Sequence, residues 1–85
     1  MSKKELYFYR DSFRDFSVLM PWKAFVDVLM KCYGFDMIPK RGSGRVFVRE
    51  GERFTADEPH GREKIVSKED RKKAVRALIR LGEFQ

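Results

Sequence analysis

Residues 45–56 read Arg45-Val46-Phe47-Val48-Arg49-Glu50-Gly51-Glu52-Arg53-Phe54-Thr55-Ala56. Charged and apolar side chains alternate through residues 45–49, the period of a strand, with Val46 and Val48 on one face. Glu50-Gly51 makes a tight turn, and residues 52–56 return as the next strand of an antiparallel meander. Upstream, residues 35–38 read as a first short strand that leads into a turn at Pro39-Lys40-Arg41-Gly42. Downstream, residues 57–61 form a loop broken by Pro59 and Gly61.

Helical patterns flank these strands. Pro21 suits a first helical position, where its missing N–H has no partner to lose. Trp22, Phe25, Val26, Leu29, Met30 and Tyr33 then fall at i, i+3, i+4, i+7, i+8 and i+11, one apolar stripe over residues 21–33. Lys23, Asp27 and Lys31 mark the opposite side, and Gly34 suits the left-handed residue that ends a helix. A last helix is predicted over residues 67–81. Ser67 and Asp70 form its S-x-x-D start, Ala74, Val75, Leu78 and Ile79 its apolar face, and Gly82 its stop. Ahead of these elements, Leu6, Tyr9, Phe13, Phe16 and Met20 recur at helical steps, although Tyr7-Phe8-Tyr9 also suits a strand. The expected fold is one small α/β (α+β) domain of order α-β-β-β-α over residues 21–85. Residues 1–20 form an aromatic extension expected to pack on the domain or to mediate homo-oligomer formation.

The 85 residues bound what this fold can do. A core this small does not enclose a deep cofactor cavity, so a surface site is expected, with no cofactor. The net charge of +6 and the pI near 9.7 favour a polyanionic partner such as nucleic acid, with a merely soluble basic protein as the alternative. Cys32 is the single cysteine, read as a core residue; it excludes an internal disulfide and a cysteine-based zinc site, and it suits a reducing, cytoplasmic setting. No apolar run approaches membrane-spanning length, and the Met1-Ser2-Lys3-Lys4 start is a poor secretory signal.

The charge is concentrated. Residues 62–80 carry eight basic side chains against three acidic ones, a difference of +5 out of the total of +6. Lys72, Arg76 and Arg80 are spaced at i, i+4 and i+8, so they share a face. Like charges at this spacing cost a helix roughly 0.2–0.5 kcal/mol per pair, which suggests a use such as phosphate binding; a solvated face is the alternative. The loop of residues 40–45 is the second candidate. Its glycines let the backbone approach a ligand, Ser43 offers a hydroxyl, and Lys40, Arg41 and Arg45 supply positive charge. An ordinary hairpin turn with basic flanks is the alternative. His60 is the only histidine, the side chain best suited to proton transfer near neutral pH, and it sits in a loop where a solvated role is the alternative. No cluster suited to a metal is visible.

The ordered series Gly34-Phe35, Lys40-Arg41-Gly42-Ser43-Gly44-Arg45, a strand-rich middle, Pro59-His60-Gly61, a basic amphipathic run and Gly82-Glu83-Phe84 resembles the HicA family, small ribonuclease toxins of bacterial toxin–antitoxin pairs. The resemblance covers roughly residues 22–84. It implies a helix–three-strand–helix fold similar to the double-stranded RNA-binding domain, cleavage of mRNA without a metal, and a HicB-like antitoxin partner. Gly42-Ser43 corresponds to the Gly-Ser of the family, and Gly44 stands where the family carries its catalytic histidine. Glycine transfers no proton, so the resemblance implies RNA binding with catalysis either lost or shifted to His60.

A non-catalytic module is the alternative. Ser67-Lys68-Glu69 followed by Lys72-Lys73-Ala74 is similar to the start of the last helix in double-stranded RNA-binding domains, where lysines contact phosphates across a groove. A third class is a protein-binding subunit that uses the aromatic N-terminus.

Overall fold

In the computed structural model, which describes residues 1–84, the strands follow the predicted alternation to within a residue. Strands β1 (Asp36–Pro39), β2 (Gly44–Arg49) and β3 (Glu52–Asp57) form one antiparallel sheet in the order β1-β2-β3. Glu50 and Gly51 join β2 to β3 with φ of 47° and 84°, the paired positive values that match a two-residue turn to the twist of its strands. Pro39 is tolerated because β1 is an edge strand.

The register places Met37 opposite Phe47 and Phe47 opposite Phe54, and these residues face the helices. Val46 and Val48 do share a face, but it is the other one. Val46 is shielded there between its cross-strand neighbours Ile38 and Thr55, and Val48 is half-buried. The arginines that alternate with them therefore lie on the core side, where their apolar stems pack and their heads reach backbone oxygens. Arg49 Nη1 donates to the Tyr33 carbonyl at 2.8 Å, and Arg45 Nη1 donates to the Gly44 carbonyl at 2.8 Å.

Helix α1 (Lys3–Asp11) begins at a capping box, with the Ser2 hydroxyl accepting from Glu5 N and the Glu5 carboxylate accepting from Ser2 N. It stops at Ser12, so the stripe from Leu6 to Met20 is not one helical face. Phe13 and Met20 instead leave the helix and become fully buried core residues, while Leu6, Tyr9 and Phe16 pack around them. Residues 20–22 then pair with residues 64–66. Trp22 N donates to the Lys64 carbonyl at 2.7 Å and Val66 N donates to the Met20 carbonyl at 3.0 Å.

Helix α2 (Trp22–Asp27) is capped by Pro21, which sits just outside the helix rather than in its first position. It continues through a π-helical turn (Val28–Cys32), in which Tyr33 N donates to the Val28 carbonyl, five residues back, at 3.1 Å. The wider turn shifts the buried stripe. Val28 and Leu29 are fully buried, Met30 swings out to 41% exposure, and Cys32 ends half-buried rather than in the core.

Helix α3 (Lys68–Arg80) starts where expected, with the Ser67 hydroxyl accepting from Asp70 N at 3.1 Å. Ala74, Val75 and Leu78 are buried as predicted, but Ala77 takes the position assigned to Ile79, which is 52% exposed. Three contacts lay α3 antiparallel along the outer edge of β3. The Asp57 N–H donates to Asp70 Oδ2 at 3.0 Å, Lys73 Nζ donates to the Thr55 carbonyl at 3.1 Å, and Arg80 Nε meets Glu52 Oε1 at 2.8 Å. Asp70 and Lys73 thereby satisfy backbone groups that an open edge strand would present to another chain, and Arg80 adds a side-chain ion pair.

The core between sheet and helices is largely aromatic. Phe47 stacks on Phe54 with ring centres 5.2 Å apart, Phe25 meets Phe47 edge-on at 5.7 Å, and Phe13 stacks on Phe25 at 5.8 Å. Each such burial contributes about 1.5–3 kcal/mol. The architecture is a small α+β domain of order α-β-β-β-α preceded by α1. Among the described residues, no helix is long and apolar enough to cross a membrane.

Candidate nucleic-acid interface

The basic run of residues 62–80 divides into structural and available charges. Arg71 is structural. Its guanidinium is buried and donates to four carbonyls, those of Ser12 (2.8 Å), Phe13 (3.2 Å), Asp15 (2.9 Å) and Val18 (2.6 Å), and it lies over the Phe16 ring at 5.0 Å. Burial pushes its pKa down, and the nearby Asp15 carboxylate offsets part of that effect. Lys73 is half-committed, bound to the Thr55 carbonyl and paired with Asp70 Oδ1 at 3.3 Å. Arg80 is paired with Glu52. Lys72 and Arg76 have no acidic partner among the described residues.

At the opposite end of β3, the 40–45 loop meets the 57–61 loop. Glu58 N donates to the Ser43 carbonyl at 2.9 Å, which joins the two loops through the backbone. Glu58 also organises the charges around it. Its Oε1 accepts from Arg45 Nη2 at 3.2 Å and its Oε2 from Lys64 Nζ at 3.3 Å. Arg45 further holds its own loop through the carbonyls of Gly42 (3.0 Å) and Gly44 (2.8 Å). It is therefore an internal brace more than a free cation. Lys40 and Arg41 are exposed and carry no ion pair among the described residues.

Between the loops lies a groove of about 460 Å³ with Ser43, Arg45, His60 and Lys64 in its walls. A contiguous groove of about 380 Å³ shares Ser43 and His60 and adds Asp57 and Asp70. The structure thus brings Ser43 and His60 together across 17 residues of sequence. His60 is exposed, and its imidazole has no hydrogen-bond or ionic partner among the described residues.

Gly44 opens β2 in an ordinary extended conformation, so nothing in the backbone requires glycine there. A Cβ at this position would stand 3.6 Å from Lys40 Cβ and 3.8 Å from Asp57 Oδ1, both normal contacts. A side chain at 44 would therefore point at the carboxylate that lines the His60 groove. Lys72, Arg76 and Arg80 line neither of these grooves and do not join this site. Among the described residues, no three His, Cys, Asp or Glu side chains gather as a metal-binding group.

Arg53 was not singled out by its sequence, because it reads as the polar half of an alternating strand. The structure sets it beside Lys73, Arg76 and Arg80. The Arg71 clamp was equally hidden within the basic run. Comparison of the chain with protein families, curated proteins and solved structures finds no match.

Proposed function

We propose that this chain is an RNA-binding domain of the HicA type, the toxin half of a toxin–antitoxin pair, acting on mRNA in the cytoplasm and held in check by a HicB-like partner. The observation that carries the reading is the meeting of the Gly42-Ser43 loop with the Pro59-His60 loop, hydrogen-bonded through Glu58 N and the Ser43 carbonyl. The two sequence segments that carry the resemblance thereby share one groove, flanked by Lys40 and Arg41, cations with no ion pair among the described residues.

RNA cleavage without a metal needs a base to take the proton of a 2′-hydroxyl. The freed oxygen then attacks the adjacent phosphorus, the bond to the 5′-oxygen breaks, and that oxygen takes a proton from water or from the protonated base. The products are a 2′,3′-cyclic phosphate and a 5′-hydroxyl. In this chain His60 is the one side chain in the groove suited to that exchange near neutral pH. Because Gly44 supplies no proton acceptor, cleavage by the chain is weak. Binding rests on the phosphate contacts and does not depend on it.

The test is binding of labelled RNA over a salt series. Log affinity is expected to fall linearly with log salt, and Lys40→Gln with Arg41→Gln is expected to reduce the slope by about 1.4, or about 0.7 per single-strand phosphate contact. Absence of RNA binding at low salt would overturn the reading. RNA binding with no cleavage at all, unchanged by His60→Ala, would assign the chain to the non-catalytic class.

A further inference from the structure

We infer that the seam between α3 and β3 is a second phosphate-binding surface, which extends the RNA path away from the His60 groove toward the C-terminal end of α3; the inference rests on the RNA reading above. Arg53 of β3 and Lys73, Arg76 and Arg80 of α3 line one open groove of about 450 Å³, floored by Phe54 and Thr55. The four cations play two parts. Lys73 is anchored on the Thr55 carbonyl and Arg80 on Glu52, contacts that fix the helix against the strand. Arg53 and Arg76 have no acidic partner among the described residues, and no further acid lines the groove. Like charges gathered without counterions repel, and that repulsion is relieved when a polyanion enters.

The seam also has a length. From Arg53 in β3 to Glu58 just beyond its end the extended chain advances about 17 Å, at about 3.4 Å per residue. A stacked nucleic-acid strand at about 3.4 Å per nucleotide covers that distance in roughly five nucleotides. Of the acids between the two grooves, Glu58 and Asp70 are engaged within the protein, whereas Asp57 is exposed and its carboxylate has no partner among the described residues. Asp70 is buried and accepts from Asp57 N while pairing with Lys73. One RNA strand of modest length can therefore lie along the seam and place a phosphate at each end.

The probe is a labelled oligoribonucleotide of about ten nucleotides, longer than the roughly five the seam spans. Arg53→Gln with Arg76→Gln is expected to lower its affinity on the order of tenfold at 0.1 M salt and to reduce the salt slope by about 1.4. Both residues are exposed, so the melting temperature should stay near that of the parent chain. Arg53→Lys with Arg76→Lys keeps the charges and should keep most of the binding. If Lys40→Gln with Arg41→Gln weakens binding while the Arg53/Arg76 variant keeps parental affinity and slope, the RNA path is confined to the loop groove. The inference then falls and the RNA reading stands. If the Arg53/Arg76 variant loses only the binding of a glutamate-rich peptide, the seam serves an acidic protein segment and the inference is likewise overturned. If the parent chain binds no RNA at low salt, both readings fall.

Discussion

Arg71 Nε donates to the carbonyl of Phe13, 58 residues earlier in the chain, at 3.2 Å. The same guanidinium binds the carbonyls of Ser12, Asp15 and Val18, so one α3 side chain supplies donors to the whole irregular segment after α1. Hydrogen bonds to a charged group contribute about 1.5–3 kcal/mol each and do not add fully. Arg71→Ala is therefore expected to destabilise the domain by at least about 3 kcal/mol in urea denaturation. Arg71→Lys should recover only part, because an ammonium cannot reproduce the planar fork. A loss below about 1 kcal/mol would show that the clamp is incidental.

The N-terminal segment should divide functionally at Ser12. Helix α1 has no fully buried residue, whereas Phe13 is fully enclosed. Deleting residues 1–11 should leave a folded, soluble domain with modestly lower stability. Deleting residues 1–17 removes Phe13 and should lower the melting temperature sharply or cause aggregation. Phe13→Ala alone is expected to cost about 3–5 kcal/mol. Equal stability of the two truncations would contradict this division.

Burial pushes the Cys32 thiol and the Tyr33 hydroxyl above their ordinary ranges. Folding thus disfavours the charged forms. Their contribution to stability is complete below the unfolded-state pKa values, about 8.5 for a thiol and about 10 for a phenol, and is lost as pH rises through the higher folded values. Urea stability should therefore decline on the alkaline side. The alkylation rate of Cys32 should also rise with pH along a curve displaced upward from that of a free thiol. An alkylation profile that coincides with a free thiol's would contradict the burial.

How much of the fold was legible depended on how local the cause was. The strands were, because a two-residue period and the Glu50-Gly51 turn are local signals, and so was α3, whose Ser67 cap is four residues long. The face of β2 was harder. Arg45 and Arg49 look solvent-facing by polarity, yet their heads find carbonyls at the sheet's ends while Phe47 between them enters the core. The π-turn at Val28–Cys32 has no periodic signature, since one extra residue changes only the phase of the residues C-terminal to it. The exit from α1 at Ser12 depends on a partner in α3, which no window of neighbouring residues contains. For the site, the two loops were visible as separate candidates. Their junction through Glu58 and Ser43 was not, because it depends on the hairpin register that pairs Gly44 with Asp57.

The most direct test concerns position 44, where the HicA family carries histidine. The backbone at Gly44 is unstrained and a side chain there points toward Asp57 Oδ1, so Gly44→His should fold normally and set an imidazole beside a carboxylate. A positioned general base contributes about 100- to 10,000-fold in rate. The measurement is cleavage of labelled RNA in the presence of a chelator by the parent chain and by Gly44→His. Slow cleavage is expected from the parent and a gain of at least about 100-fold from the variant, with 2′,3′-cyclic phosphate ends. A folded, RNA-binding Gly44→His protein that cleaves no faster than the parent would contradict the assignment, as would fast cleavage by the parent that survives His60→Ala.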